Sequence, residues 1–465
     1  MDSPLSESPT ARKNKDLTYL IISGGTGANS IAGAFGHSPS FVLPVSDDGG
    51  SSSEILRCFG GPSIGDIRSR LTRLIPVRRH SVSKEDKERA AIYQLMAYRF
   101  PSDAPEKVVR DMWMDIVEGR SHLWSGIGED KKECIRGARD LFGSLPSAIF
   151  LFKSIAGVEH GAQVIPVINT NQTVIIAAQL ANSTTLVGQC AISHPRPSAS
   201  HDSSISTPLE LGSATLPSIH PFLRSHFRRD SRTFDTPDES APPTRSHSGD
   251  RLDAVTNDAE GHDGEGNLAY RKGEDEAPLE AKIERIFYIN LYGQEIYPEP
   301  NTDYIDAIQN RDILVYSCGS LWTSIVPCLA LKGLAEQIAR SQTLKAKVLL
   351  LNSSNDRETT DYAASEYVAT ILAMLRHYNK PRRNRARDQL VPGPEWKAAN
   401  LISHVVWLEG AKIEIDEDQI LESGVKMVCV PASVHGAQHG EIPLFSNEAV
   451  EWAMERVLED VNHNA

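Results

Sequence analysis

An α/β fold of the doubly wound type, with a mostly parallel, Rossmann-like sheet, is the architecture this sequence predicts. Short apolar runs alternate with segments of helical period along most of the chain. Several of those runs stop abruptly at glycine. Leu20–Ile22 empties into Gly24-Gly25-Thr26-Gly27, and Phe41–Val45 into Asp47-Asp48-Gly49-Gly50. Strand, glycine turn and helix start form the repeating unit of open α/β sheets, which bind ligands at the edge where such strands end.

The first unit spans Tyr19 to Arg68. Glycines 24, 25 and 27 let backbone N–H groups approach a ligand, and a helix over Asn29–Phe35 would set its N-terminus behind an anion. Gly25-Thr26-Gly27-Ala28-Asn29-Ser30 is a partial G-x-G-x-x-G with Ser30 in the third glycine position. No Walker lysine follows, which excludes a P-loop ATPase. Asp47 lies about 20 residues beyond, where a dinucleotide fold keeps its ribose acid, so an NAD(P)-dependent oxidoreductase is one reading. Asp48, Gly49, Gly50 and the serines from Ser51 exceed what that fold needs. They read as a second phosphate nest or a metal–phosphate site. A pair of glycine-rich turns with a solvated acidic cap is the structural alternative.

Beyond Arg68 the sequence is helical in period to about Phe100, with Asp66 either an N-cap or, beside Gly65, a ligand contact. Val108–Val117 and Ala148–Ile155 continue as helices. Val164–Val167, Val174–Leu180 and Thr185–Ile192 are rich in β-branched residues, with turn chemistry at Asn171 and Asn182-Ser183, and predict a meander. From 195 to 280, Ser, Pro, Asp, His and Arg dominate, too polar to offset chain entropy, and predict a long disordered insertion. Strand character resumes at Ile283–Asn290 and again at Asp312–Ser317. The latter ends in Gly319-Ser320-Leu321-Trp322-Thr323-Ser324 before a helix over Ile325–Ala339, where Ser320 and Thr323 serve as helix caps or as a phosphate-binding turn. Lys347–Leu351 delivers Asn352, an amide able to read a base or sugar, and Glu358-Thr359 begin and cap a helix over Tyr362–Tyr378. Val405–Leu408 and Lys426–Val430 are the last strands and Val450–Leu458 the closing helix.

Composition sets the outer bounds. The 465 residues, 40% of them hydrophobic, suffice for one large core or two domains. A net charge of −13 argues against general nucleic-acid binding, which needs a basic face. Six scattered cysteines, without C-x-x-C or zinc spacing, suit reduced thiols in a cytoplasmic protein. No apolar run approaches the roughly 18 residues of a membrane span. Residues 1–16 are polar and read as a disordered tail, not a secretory signal. The chain thus divides into that tail, an α/β domain in two parts (17–194 and 281–463) and the insertion between them (195–280).

Gly-Gly-Thr-Gly at 24–27, Asp-Asp-Gly-Gly-Ser-Ser at 47–52 and Gly-Asp-Ile-Arg at 65–68, in that order, resemble the 2-phospho-L-lactate transferase (CofD-like) family, which includes the YvcK-like gluconeogenesis factors. Gly319 to Ser324 and the Asn352 to Thr359 stretch are similar to the family as well. One departure stands out: Glu129, after Ser125-Gly126-Ile127-Gly128, occupies the place of an asparagine. The resemblance implies a CofD-like doubly wound sheet with one cleft and a small β-rich addition. It also implies either of two functions. One is an enzyme that moves a phospholactyl group from a nucleotide diphosphate conjugate to a deazaflavin hydroxyl. The other is a regulator that binds a nucleotide-sugar without chemistry.

On the enzyme reading, Gly24, Gly25, Thr26, Gly27, Asn29, Gly49, Gly50, Ser51, Arg68, Gly319, Ser320, Thr323 and Asn352 line the ligand. Asp47 or Asp48 holds a magnesium ion, and Asp48 or Asp66 orients the acceptor hydroxyl. The expected partner is a nucleotide diphosphate conjugate or nucleotide-sugar. Nucleic acid and membrane are not expected, and a homodimer is left open.

Overall fold

The computed structural model describes residues 17–25, 27–48, 60–77, 83–101, 104–138, 144–158, 161–193, 278–379, 383–384, 389–390, 396–438 and 440–463. Thr26, Gly49, Gly50, Ser51, the tail and all but the last three residues of the predicted insertion lie outside them.

A seven-stranded sheet forms the centre, in the order β13-β12-β9-β8-β1-β2-β3. Its strands are β1 (Tyr19–Ile22), β2 (Ser40–Leu43), β3 (Gln163–Pro166), β8 (Ile313–Tyr316), β9 (Ala346–Leu350), β12 (His404–Leu408) and β13 (Lys426–Val430). Every pairing in it is parallel. Parallel sheets must be covered on both faces, and the sequence of β1 supplies both. Tyr19 and Ile21 point into a core closed by the Ala32–Phe35 turn and the C-terminal helix Asn447–His463. Leu20 and Ile22 point into the opposite core, shared with the helices Thr302–Asn310, Leu334–Arg340 and Ala364–Tyr378. This is the doubly wound fold expected.

The β-rich addition is an antiparallel sheet in the order β5-β4-β6-β7, from β4 (Ile175–Leu180), β5 (Thr185–Val187), β6 (Ile283–Ile289) and β7 (Glu295–Ile296). A two-stranded ribbon, β10 (Arg383–Asn384) with β11 (Gln389–Leu390), stands apart. The three-strand meander is corrected here. Gln163–Pro166 joins the parallel sheet beside β2, and only the next two strands form a hairpin. Pairing separates them: β3 lies parallel beside β2, whereas β4 runs antiparallel between β5 and β6.

Three helices also depart from expectation. The Arg68–Phe100 stretch divides into α1 (Gly65–Arg73) and α2 (Lys84–Ala97). Asn29–Phe35 forms no α-helix, only turns and a short 3₁₀ segment at Ala32–Phe35, in a glycine-interrupted stretch. The Ile325–Ala339 helix is broken. Leu321–Ile325 is a π-helical turn, Val326–Cys328 a 3₁₀ turn, and α-helix resumes only at Leu334, after Gly333 at φ 74°. Pro327 removes the N–H that would carry the π-helical turn on as α-helix, and Gly333 ends the irregular stretch. Further helices, α3 (Glu106–Val117), α4 (Glu129–Ala138) and α5 (Leu145–Ala156), follow α2, and their lobe has its own core around Ile92, Trp124 and Ile155. Among the described residues no helix is long and apolar enough to cross a membrane.

Candidate functional site

From β1 the chain moves outward through β2 and β3. It later returns to the other flank of β1 as β8 and continues outward through β9, β12 and β13. The switch point of the sheet therefore lies between β1 and β8, where the loops after the two strands diverge and open α/β sheets hold ligands. Both glycine motifs meet there. A Cβ on Gly24 would lie 2.5 Å from Ser324 Oγ, and one on Gly27 only 3.1 Å from the Cα of Gly319.

α1 clasps the β1 turn from the β2 side. Asp66 Oδ1 accepts the Gly25 N–H at 2.9 Å. Ser69 Oγ donates to Gly25 O at 3.3 Å and accepts Asn29 Nδ2 at 2.9 Å. Arg70, fully buried, donates to Ala28 O at 3.0 Å and Ser23 Oγ at 3.2 Å, and its guanidinium lies 4.4 Å from the centre of the Phe41 ring. Asp66, expected as a cap or a ligand contact, thus holds the glycine turn rather than capping its own helix. The helix behind the turn is α1, not the segment after Asn29.

Burial, and then repulsion from Asp47, push the Asp66 carboxyl up to about 7, against the opposing pull of Gly25 N–H and Arg70. Burial likewise lowers Arg70 to about 9, with Asp66 resisting. Arg68 is lowered by burial and by Arg99, while Asp47 opposes the change. The Asp47 charge therefore acts on both ionisable residues of the Gly-Asp-Ile-Arg motif. Asp48 points elsewhere: its Oδ1 accepts the Cys190 N–H at 2.9 Å, at the start of α6 (Gln189–Ser193). Around this edge Asn29 Oδ1, Ser46 Oγ and Gln189 Oε1 are buried with no hydrogen-bond partner among the described residues.

On the β8 side the expected ligand residues serve one another. Asn352 holds the Gly319 peptide at both ends, accepting its N–H at 2.9 Å and donating to its C=O at 2.7 Å, with Gly319 at φ 138°. Ser320 Oγ donates to Asp356 at 3.4 Å. Thr323 is buried and gives both its N–H (3.1 Å) and its Oγ–H (2.7 Å) to the Glu358 carboxylate. Glu358, expected as a helix start, lies instead in the 3₁₀ turn Arg357–Thr359, which Asp356 caps. Burial and the neighbouring Asp356 push Glu358 up to about 7. The divergent Gly128-Glu129 pair does not reach the switch point. Gly128 N–H goes to Glu88 at 2.7 Å, and Glu129 is exposed beside Lys132 at 2.7 Å.

Sequence reasoning missed Arg70 and Glu358. Arg70 had a faint signal, a basic residue one position before Leu71 on the buried side of its helix. Glu358 had only its place in a family-like stretch.

The family model described as 2-phospho-L-lactate transferase CofD matches residues 20–432. An uncharacterized Saccharomyces cerevisiae protein, YNL011C, is 33% identical over 442 residues, 86% of this chain and 92% of the relative. A gluconeogenesis factor of Listeria innocua is 35% identical over 91 residues, 19% of this chain and 26% of its own. The crystal structure of a UPF0052-family protein from Bacillus halodurans shares the fold, with a TM-score of 0.52 over 94% of this chain and 98% of its own at 16% identity. The family match takes in the glycine turn of β1, the Gly319 loop that meets it and both aspartate motifs, and the chain belongs to the 2-phospho-L-lactate transferase CofD family.

Proposed function

We propose that the chain binds a nucleotide diphosphate conjugate at the β1–β8 switch point and transfers a phosphorus-containing group from it. The carrying observation is the Gly25 N–H held by Asp66 at the switch point, with the Asp47 charge acting on the Asp66 carboxyl. A phosphate cradle lined by two mutually repelling carboxylates is suited to a ligand that arrives with a cation. Asp47 and Asp66 suit that cation better than the adjacent pair Asp47 and Asp48, since Asp66 lies on the glycine turn while Asp48 is bound to the start of α6. Magnesium, when bound, would neutralise the diphosphate and stabilise the leaving nucleotide. Arg68, whose charge Asp47 favours, adds the positive charge that a second phosphate needs.

A binding-only role, of the kind suggested by the gluconeogenesis factors, is favoured by one observation. Gly128 and Glu129 are committed to Glu88 and Lys132, away from the cradle. The test is equilibrium binding to guanosine diphosphate, nucleotide-sugars and nicotinamide dinucleotides, with magnesium and with chelator, followed by a search for turnover. Magnesium should tighten diphosphate binding, and Asp47→Asn and Asp66→Asn should lose that gain while Asp48→Asn keeps most of it. Selective, magnesium-independent binding of a nicotinamide dinucleotide would replace this reading with a dehydrogenase-like one.

A further inference from the structure

The π-helical turn Leu321–Ile325 follows the Gly319-Ser320 loop directly, and the sequence marks its first N–H groups as a seat for phosphate. That seat is filled from within the chain. Glu358 Oε2 accepts the N–H groups of Trp322 and Thr323, each at 3.1 Å. Its Oε1 accepts Thr323 Oγ at 2.7 Å and Ser193 Oγ at 2.6 Å. Both oxygens of a side chain only 3% exposed are thus occupied by donors from the β8 loop and from the end of α6. An internal carboxylate placed on helix-start N–H groups satisfies the same backbone donors that a phosphate would.

The next residue passes this constraint on. Ser324 is the side chain against which Gly24 packs, and Gly319 is the backbone that Gly27 approaches. Asn352 fixes Gly319 independently from β9. The β1 turn therefore rests on a loop whose position is set by Glu358 at one end and Asn352 at the other.

We propose that Glu358 is a positioning residue for the phosphate cradle. Its carboxylate holds Trp322 and Thr323, and through Ser324 and Gly319 it sets the surface against which the Gly24–Gly27 turn closes on a diphosphate. Thr323 and Asn352 then belong to the support of the cradle, and the ligand's phosphates meet the β1 turn rather than the β8 loop. The inference rests on the diphosphate reading for its consequence, but not for the positioning itself.

Two readouts separate these claims. Hydrogen exchange in the ligand-free full chain, followed on peptides covering 318–326, reads the positioning. Affinity for guanosine diphosphate with magnesium, against guanosine alone, reads its consequence. Glu358→Ala should speed exchange in that segment at least tenfold, with other sheet peptides unchanged, and weaken the diphosphate at least tenfold without altering guanosine. Glu358→Gln should restore both to within about threefold of wild type. Its amide oxygen can take the two N–H groups while its NH₂ donates to hydroxyls that rotate to accept. Should Glu358→Ala not fold, Glu358→Asp keeps the charge but draws it back by one methylene, and the same exchange increase is expected. Wild-type exchange over 318–326 in the Ala or Asp variant would overturn the positioning role. Wild-type diphosphate affinity alongside accelerated exchange would overturn its link to the cradle. A wild-type chain that binds no nucleoside diphosphate would remove the proposed function, and the exchange data would still decide the positioning.

Discussion

Replacing Gly25 by alanine would put a methyl carbon 2.7 Å from the Cα of Asp66 and 2.4 Å from its Oδ1. The nearer carbon belongs to backbone, so α1 itself would have to retreat. Forcing a methyl into a packed contact costs about 1–3 kcal/mol. The retreat also lengthens the 2.9 Å bond from Gly25 N–H to Asp66. Losing a hydrogen bond to a charged acceptor adds about 1.5–3 kcal/mol. Because the two terms overlap, a loss of about 3–5 kcal/mol is expected. Gly24→Ala is the internal comparison: its new methyl meets Ser324 at Oγ (2.5 Å), which can rotate away, and at Cβ (2.9 Å), which cannot, so about 1–3 kcal/mol is expected without the lost hydrogen bond. Urea unfolding of wild type and both variants, followed by circular dichroism and tryptophan fluorescence, gives the two differences. A Gly25→Ala variant within about 0.5 kcal/mol of wild type, or equal to Gly24→Ala, would refute the close clasp of α1 on the turn.

Three further outcomes are expected. Arg70→Met should destabilise by about 3 kcal/mol or more in the same urea assay, because it strips a buried cation from Asp66 and from the carbonyl of Ala28. Burial holds the His404 imidazole below its usual 6.5, so the folded chain resists a proton that the unfolded chain accepts; that stabilisation is present above pH 6.5 and lost as pH falls below it. Urea midpoints between pH 7.5 and 5 should therefore fall further for wild type than for His404→Gln, and parallel curves would show that His404 does not contribute. Replacing residues 196–279 by a short Gly/Ser linker, with Ser193 kept, should leave a cooperative thermal transition within a few degrees of wild type, and loss of the transition would show that the segment packs on the core.

The sheet was legible where its strands are short apolar blocks stopped by glycine or polar residues. β1, β2, β8, β9, β12 and β13 fall within a residue or two of their expected places. Legibility failed where neighbours decide. Nothing local in Gln163–Pro166 distinguishes a parallel edge strand from the first arm of a hairpin, and only pairing with β2 settles it. Pro327 was visible, but its effect on the whole Ile325–Ala339 segment depends on Gly333, which ends the break. The site shows the same division. Gly24, Gly25, Asp47 and Asp66 announce themselves by type and spacing, and Gly25 and Asp66 are joined by a hydrogen bond. Asn352 and Thr323 carry equally suggestive chemistry, yet their partners, Gly319 and Glu358, lie on other strand loops and account for that chemistry internally. Donors and acceptors of one chain can satisfy each other over distances that no sequence window spans.

The pairing of β1 with β8 has a consequence for how the protein comes into being. Thr18 hydrogen-bonds to Asp312, a partner 294 positions later, and Ile22 lies in register with Tyr316. During synthesis the β1 edge must wait, unpaired on that flank, until more than half the chain has been made. Extra length in between changes the equilibrium cost of closure little, since each doubling of a loop adds only about 0.6 kcal/mol. The delay is felt in time, because long-range parallel pairing is slow and leaves a strand edge open to wrong partners. The cradle, built half from each side of that pairing, does not exist in any nascent chain that stops short of β8. Capture of the nucleotide ligand proposed above would then act as a completeness check, engaging only molecules that have joined both halves.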